Sequence, residues 1–470
     1  MIVELNGSRL MYELQSVCQL FFPDTDFSSD DGRRLCCDVK DGAVNATLHY
    51  AGRTYTACAP LEDIFDAERI ALKGCAYRLM SSATGRSSPW GLLTGIKSAL
   101  FYDKLRGAHE EAADDIFERL YMVCPDKIEL CRQVLASRKR ALDVCAPDSV
   151  SLYISVPFCP GKCSYCSFVS SALPSDGMLE RYIDILCREL EQKGEFIARS
   201  GYRITCVYIG GGTPTVLSEA LLDRLLRAVE RCFDLSHMLE YTVEAGRPDT
   251  FSVPKLDALA RHGVTRVSIN PQTLNPEALR AIGRRHTAED FFKAYDMACK
   301  YDFIKNIDVI AGLPRDTFDT FRSSIDTLSA LGAENVTLHT LYIKKASDPQ
   351  IHAMLSDVSH AELTGRMVAY AERRCSERGY TPYYLYRQKN TIGNHENVGY
   401  AVPGTEGLYN ILMMDDIQTV IAAGANAVSK FVLKDKMLRL ANTKYAYNYI
   451  KDSYRDISDF YRAAEQQKAD

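Results

Sequence analysis

Cys159, Cys163 and Cys166 lie in the run Tyr153-Ile-Ser-Val-Pro-Phe-Cys-Pro-Gly-Lys-Cys-Ser-Tyr-Cys-Ser-Phe168, with the spacing C-x3-C-x2-C. Three thiolates leave one corner of a [4Fe–4S] cluster without a protein ligand, so one iron is open to a small molecule. A structural zinc site closes with four ligands, commonly as two spaced pairs, and no second Cys or His pair stands nearby. A disulfide leaves an odd thiol, and Met1-Ile-Val-Glu-Leu-Asn lacks the basic-then-apolar layout of an export signal. Zinc and an inert cysteine-rich loop are the alternatives to the open cluster.

Further chemistry-bearing residues follow at regular intervals. Tyr208-Ile-Gly-Gly-Gly-Thr-Pro-Thr215 has glycines that allow close backbone approach, but it lacks the lysine of a P-loop. Glu244, in Thr242-Val-Glu-Ala-Gly-Arg-Pro248, could accept both hydroxyls of a ribose or form a salt bridge. Gln272 and Arg284 suit a carboxylate, which arginine can grip bidentately. Asp308 precedes Ala311-Gly-Leu-Pro314, and His339 follows, a residue type more often satisfied in a core than functional. Together they describe a site for a ligand that is part amino acid, part nucleoside.

These residues fall at the ends of apolar runs: 152–158, 206–209, 239–243, 264–269, 306–310 and 336–343. Between them the pattern has a helical period, as in residues 218–233, where Ser218 is a good N-cap, and in residues 179–191. Six strand–helix units in series predict an α/β fold with a parallel sheet. Six falls short of the eight that close a barrel, so a partial (β/α)6 barrel is expected, with its chemistry at the carboxyl ends of the strands.

The chain of 470 residues predicts two or three domains. Before residue 147 only short strand-like pieces (43–50, 54–58) and one helix (about 66–81) emerge, an α+β pattern, and Pro147-Asp148 reads as a boundary turn. After about residue 350 a helical stretch (359–378), an aromatic polar segment (381–400) and a small-residue run (422–429) predict a mixed, partly helical extension. The net charge of −5 argues against a nucleic-acid footprint, and no apolar run reaches a membrane span. Sixteen cysteines without an export signal point to the cytoplasm, most of them as small buried hydrophobes.

The cysteine spacing followed by Gly-Gly-Gly-Thr-Pro-Thr resembles the radical S-adenosylmethionine (SAM) enzymes. Tyr153-x3-Pro-Phe-Cys, Gly210–Thr215, Gln272-Thr-Leu-Asn with Arg284-x-His-Thr, and Asp308-x3-Gly-Leu-Pro are similar to the oxygen-independent coproporphyrinogen III oxidase family. That family includes heme chaperones and heme-modifying members. The segments Pro-Trp-Gly-Leu-Leu-Thr-Gly and Tyr-Arg-Gln-Lys-Asn…Glu-Asn-Val-Gly-Tyr resemble its HemZ-type branch. The resemblance implies a [4Fe–4S] cluster on Cys159, Cys163 and Cys166. It implies SAM held by Tyr153, Gly211, Gly212, Thr213, Glu244, Gln272, Arg284 and Asp308.

The implied activity is an oxidoreductase reaction. A 5′-deoxyadenosyl radical removes hydrogen from coproporphyrinogen III propionates, carbon dioxide leaves, and two vinyl groups give protoporphyrinogen IX. The implied partners are a porphyrinogen or heme substrate and an electron donor such as flavodoxin or ferredoxin. The implied layout is an accessory domain (1–147), a radical SAM partial barrel (148–345) and a substrate-covering domain (346–470). Phe168 replaces a fourth cysteine of well-studied oxidases and is shared with the heme chaperones. Ser155 replaces a common histidine, and Asn426 replaces a glycine. A heme carrier using His395 or His339, and a heme-modifying enzyme, are the rival readings. Arg387 and Lys389 are candidate partners for propionates.

Overall fold

The six middle runs form strands in which polar and apolar side chains alternate across the two faces. In the computed structural model they span Ser149–Val156, Arg203–Gly211, Glu240–Glu244, Arg266–Ser268, Ile304–Ala311 and Asn335–Thr340, and they neighbour one another in chain order. The first five pair in parallel. The structure describes residues 1–470 except 24, 63–65, 96, 147, 167–170, 175, 345–348, 435, 452–456 and 470. Pro147, Phe168 and the boundary at 345–346 therefore lie outside the described residues.

The chain packs into two compact units. One comprises residues 1–135, 340–368 and 385–397, and the other residues 136–339, 369–384 and 398–470. The second holds the parallel strands. One face of the sheet buries Ile154, Val207, Ile209, Val243, Val267, Ile269, Ile307 and Val309 completely. It is covered by helical stripes such as Leu222, Leu225, Leu226 and Val229. Each such side chain contributes about 1.5–3 kcal/mol on burial. The other face carries Tyr153, Tyr208, Glu244, Ser268, Asn306 and Asp308, a register fixed by the pairings Tyr153↔Tyr208, Glu244↔Ser268 and Ser268↔Asn306. A one-residue slip would exchange the two faces.

The connecting helices start where their caps dictate. The Ser218 hydroxyl accepts from the Leu221 amide, and Thr287–Asp290 and Thr317–Thr320 form capping boxes. The C-terminal extension is mixed, as expected, and richer in strand than its periodicity suggests. Thr419–Ala423 lies parallel to the first barrel strand, and Val428–Val432 and Met437–Ala441 continue the sheet antiparallel. Residues 398–401 pair antiparallel with 335–338. Asn426 sits at φ +61°, where asparagine is tolerated, so the loop that begins at Gly424 keeps its left-handed turn without the glycine.

A buried carboxylate ties this extension to the barrel. Glu189, 2% exposed, accepts from the Gly424 amide (2.9 Å), the Asn442 amide group (2.8 Å) and the Tyr449 hydroxyl (2.6 Å). Lys193 lies 3.9 Å away and over the Phe460 ring at 3.0 Å. Glu189→Ala strips the carboxylate from a buried lysine and three donors. The expected loss is about 3–5 kcal/mol, read as a lower urea midpoint by circular dichroism. An unchanged midpoint would show that the network contributes nothing.

The first unit has its own core. Strand Ile2–Asn6 pairs in parallel with Arg34–Lys40, and Ala43–Tyr50 and Arg53–Pro60 follow antiparallel. Helices Met11–Phe21 and Ala67–Thr84 bury Leu14, Val17, Leu72, Leu79 and Met80 in the same cluster. Cys18, Cys37 and Cys75 sit there fully buried, and burial pushes the Cys37 thiol up to about 12, so they act as hydrophobes. Cys36 bonds the Glu4 carboxylate at 3.1 Å.

The same unit explains the single tryptophan. The Trp90 indole donates to Glu396 at 2.7 Å, and Lys127 pairs with that carboxylate at 2.6 Å. Burial drives the Glu396 pKa up, but the Lys127 charge prevails and holds it near about 2. Arg387 is 2% exposed, lies over the Trp90 ring, and donates to the carbonyls of Leu93 (2.7 Å) and Asn394 (3.3 Å). Both its terminal nitrogens are thus committed to backbone rather than offered to a propionate. Lys389 bonds the Tyr12 hydroxyl, and burial pushes His395 down to about 4, leaving it neutral.

Candidate active site

All eleven residues assigned to cluster and cofactor belong to the second unit, on the polar sheet face or the loops that follow its strands. Cys159, Cys163 and Cys166 follow the first strand, and Cys163 is the most buried, at 7% exposure. Hydrogen bonds dock the cysteine loop from two sides. The Ser164 amide donates to the Ile282 carbonyl (3.1 Å), and the Thr213 amide to the Phe158 carbonyl (2.8 Å). Among the described residues no group of three His, Cys, Asp or Glu side chains is drawn to metal-ligand spacing, the three cysteines included.

The glycine turn is packed rather than slack. Gly211 has φ +106°, and a Cβ on Gly212 would stand 2.5 Å from the Phe158 carbonyl oxygen. Substitution would push this turn off the cysteine loop. Thr213, 2% exposed, brings its hydroxyl to 3.5 Å from the Cys159 sulfur.

Behind the turn, three tyrosine rings stack. Tyr208 lies 4.4 Å from Tyr409, and Tyr153 flanks both at 6.2 and 6.4 Å. Tyr409 arrives from the helix Leu408–Asp415, whose first amides donate to buried Glu240 (2.8 and 3.3 Å). The Tyr208 hydroxyl donates to Glu244. Burial, then the charge of Asp308, pushes the Glu244 pKa up to about 7. Asp308 accepts from Asn306 (2.7 Å) and lies 3.6 Å from the His339 imidazole. His339 thus sits on the site's rim beside Asp308.

Gln272 adopts φ +67°, rare for a side chain of its size, fixed by Gln272 N–H to Asp308 C=O (3.0 Å) and Ile310 N–H to Gln272 C=O (2.9 Å). Its side-chain oxygen is buried with no partner. Arg284, 7% exposed, donates to the carbonyls of Gly246 (2.9 Å) and Asn270 (3.1 Å) and to the Tyr165 hydroxyl (2.8 Å), while its Nε has no partner. Buried polar atoms without partners are uncommon, and two of them here belong to residues assigned to a polar ligand.

Tyr165, Tyr208, Tyr409 and Arg247 are additions that the sequence reading missed. Arg247 is 3% exposed, forks onto Asp249 (3.0 and 3.1 Å), and directs its remaining nitrogen to the Cys163 sulfur at 3.7 Å. Tyr165, Tyr208 and Arg247 each stand within three residues of an assigned residue, which is the signal available for them. Tyr409 has none.

Strand ends bearing three thiols, a glycine turn and polar side chains for an amino-acid nucleoside define a radical SAM protein. A model of the radical SAM superfamily matches residues 153–328. The oxygen-independent coproporphyrinogen-III oxidase-like protein HemZ of Bacillus subtilis (strain 168) is 38% identical over 389 residues, 80% of this chain and 78% of that protein. The heme chaperone HemW of Lactococcus lactis is 30% identical over 282 residues, 59% of this chain and 69% of that protein. The structure of the Escherichia coli coproporphyrinogen III oxidase HemN, a radical SAM enzyme, is similar in fold, with TM-score 0.50 at 20% identity over 67% of this chain and 71% of that one. The chain belongs to the radical SAM family of oxygen-independent coproporphyrinogen III oxidase-like proteins. Members use a [4Fe–4S] cluster and SAM.

Proposed function

We propose that this protein is a coproporphyrinogen dehydrogenase that converts two propionates of coproporphyrinogen III to vinyl groups without oxygen. The observation that carries the reading is the constellation gathered within one unit: the cysteine loop, the glycine turn, Glu244, Gln272, Arg284 and Asp308. The oxidase-like relative that matches four-fifths of the chain supports the substrate class. Cys159, Cys163 and Cys166 would hold the cluster, and the cofactors together supply a one-electron cleavage that yields a hydrogen-abstracting radical.

The chain's own residues bind and orient. Glu244 accepts hydrogen bonds from the ribose hydroxyls, Arg284 donates to the methionine carboxylate, and the backbone of Gly211 and Gly212 with Thr213 binds the amino group. Tyr153 walls the pocket, and Gln272 and Asp308 supply its remaining polar contacts. Residues 1–147 act as an accessory domain, 148–345 as the radical SAM core and 346–470 as the part that covers substrate. An electron donor of the flavodoxin or ferredoxin type, and action in the cytoplasm, complete the proposal. No described helix is long and apolar enough to cross a membrane.

The test is an anaerobic assay on cluster-loaded protein with SAM, reductant and coproporphyrinogen III, read by mass spectrometry. SAM-dependent loss of two carbon dioxides per porphyrin is expected. Stoichiometric heme uptake with no change in the porphyrin would overturn the dehydrogenase in favour of a carrier. Heme consumption would favour a heme-modifying enzyme.

Glu244 makes binding pH-dependent. With its pKa at about 7, it is mostly neutral at pH 6 and mostly ionised at pH 8. The ribose hydroxyls are donors, so the ionised form binds them better. SAM affinity is expected to rise about tenfold from pH 6 to 8, following the ionised fraction. Calorimetry of Glu244→Gln should give weaker binding with a flat profile; a profile as steep as that of the parent would remove Glu244 from the ribose site.

A further inference from the structure

We propose that Arg247 is a positioning residue for electron entry, a hydrogen-bond donor to the Cys163 sulfur that raises the reduction potential of the cluster. The inference rests on the three cysteines holding that cluster. It concerns a residue outside the set assigned to SAM.

Arg247 lies three residues beyond Glu244, where the third strand ends. Its side chain is 4% exposed, and its fork is closed by Asp249, through Nε to Oδ1 (3.0 Å) and Nη2 to Oδ2 (3.1 Å). A planar guanidinium with one edge fixed has one direction left for its last nitrogen. That nitrogen, Nη1, lies 3.7 Å from the Cys163 sulfur. The Thr250 amide and hydroxyl both donate to the Arg247 carbonyl (3.0 and 2.7 Å), so the backbone is pinned as well as the side chain. Asp249 is more open to solvent than Arg247, at 29% side-chain exposure, so the positive edge faces the thiol and the negative partner faces outward.

Reducing the cluster adds one electron, supplied in the test by dithionite, and places more negative charge on its sulfurs. A buried donor aimed at a ligand sulfur stabilises that state more than the oxidised one, and hydrogen bonds to the sulfurs are among the terms that set such potentials. Removing the donor makes reduction harder. Removing the carboxylate of Asp249 leaves the arginine's charge less compensated and makes reduction easier.

The experiment is an anaerobic dithionite titration of the reconstituted full-length protein without SAM, followed by the electron paramagnetic resonance signal of the reduced cluster. Iron and sulfide are assayed on the same samples. Arg247→Gln is expected to lower the reduced-to-oxidised ratio at a fixed potential about tenfold, a downward shift of ~59 mV for one electron. Arg247→Lys, which keeps the charge but loses the fork, should recover part of the shift, and Asp249→Asn should move the potential upward. Cluster-loaded Arg247→Gln and Asp249→Asn with the parent's potential would overturn the proposal. Loss of iron and sulfide from all three variants would also overturn it, by assigning the pair to loop folding. If the parent itself binds no iron and sulfide, the cluster assignment fails, a result distinct from a loaded parent whose potential ignores Arg247.

Discussion

Cys163→Ala is expected to abolish reductive cleavage of SAM and to leave protein with little iron or sulfide. Of the three motif cysteines, Cys163 is the middle one and the most buried, and its sulfur is the one that Arg247 approaches. Alanine there leaves two thiols, too few for the open three-ligand arrangement. Changes in groups that merely support a metal ligand cost about 10–100-fold, so loss of a ligand should exceed about 100-fold. The measurement is 5′-deoxyadenosine released per chain under dithionite, beside iron and sulfide content. A variant that keeps its cluster and its cleavage rate would remove Cys163 from the ligand set.

Arg284→Lys should produce the second-largest effect, and of a different kind. Cluster content should hold while SAM binding weakens by about 3 kcal/mol, roughly 100-fold, the upper range for a hydrogen bond between charged groups. The guanidinium is already fixed by the carbonyls of Gly246 and Asn270 and by the Tyr165 hydroxyl. Lysine cannot satisfy these partners and a carboxylate together. Because Tyr165 lies between Cys163 and Cys166, the same guanidinium links the cysteine loop to the fourth strand's end. Isothermal titration of SAM into the loaded variant measures the loss. Affinity within threefold of the parent would show that Arg284 serves the loop and not the ligand.

Much of the fold that positions this site was legible in the sequence. The six barrel strands fall within a few residues of their expected positions because an apolar run marks each of them. Cys159, Cys163 and Cys166 were singled out by their spacing, and Glu244, Gln272, Arg284 and Asp308 by residue type on or after those strands. What sequence pattern could not supply were pairings between distant residues. Tyr409 meets Tyr208 because Glu240 caps the helix that carries it, a relation with no local trace. Thr419–Ala423 escaped as a strand because every residue in it is buried, so its period-2 signal vanishes. Arg387 looked like a ligand for propionates because it stands among tyrosines in a polar segment. A cation among aromatics can equally be folded inward, and this one gives both terminal nitrogens to carbonyls.

The strand Thr419–Ala423 also sets an order on synthesis. It pairs with Thr419↔Val150 through Ala423↔Ile154, so the first barrel strand waits for a neighbour made roughly 270 residues later, about 15–50 s at ordinary translation rates. Through that interval one edge of the strand that leads into the cysteine loop has its amides and carbonyls unpaired, an open template for another chain. A ribosome paused before residue 419 therefore displays a barrel that is complete on one side and adhesive on the other.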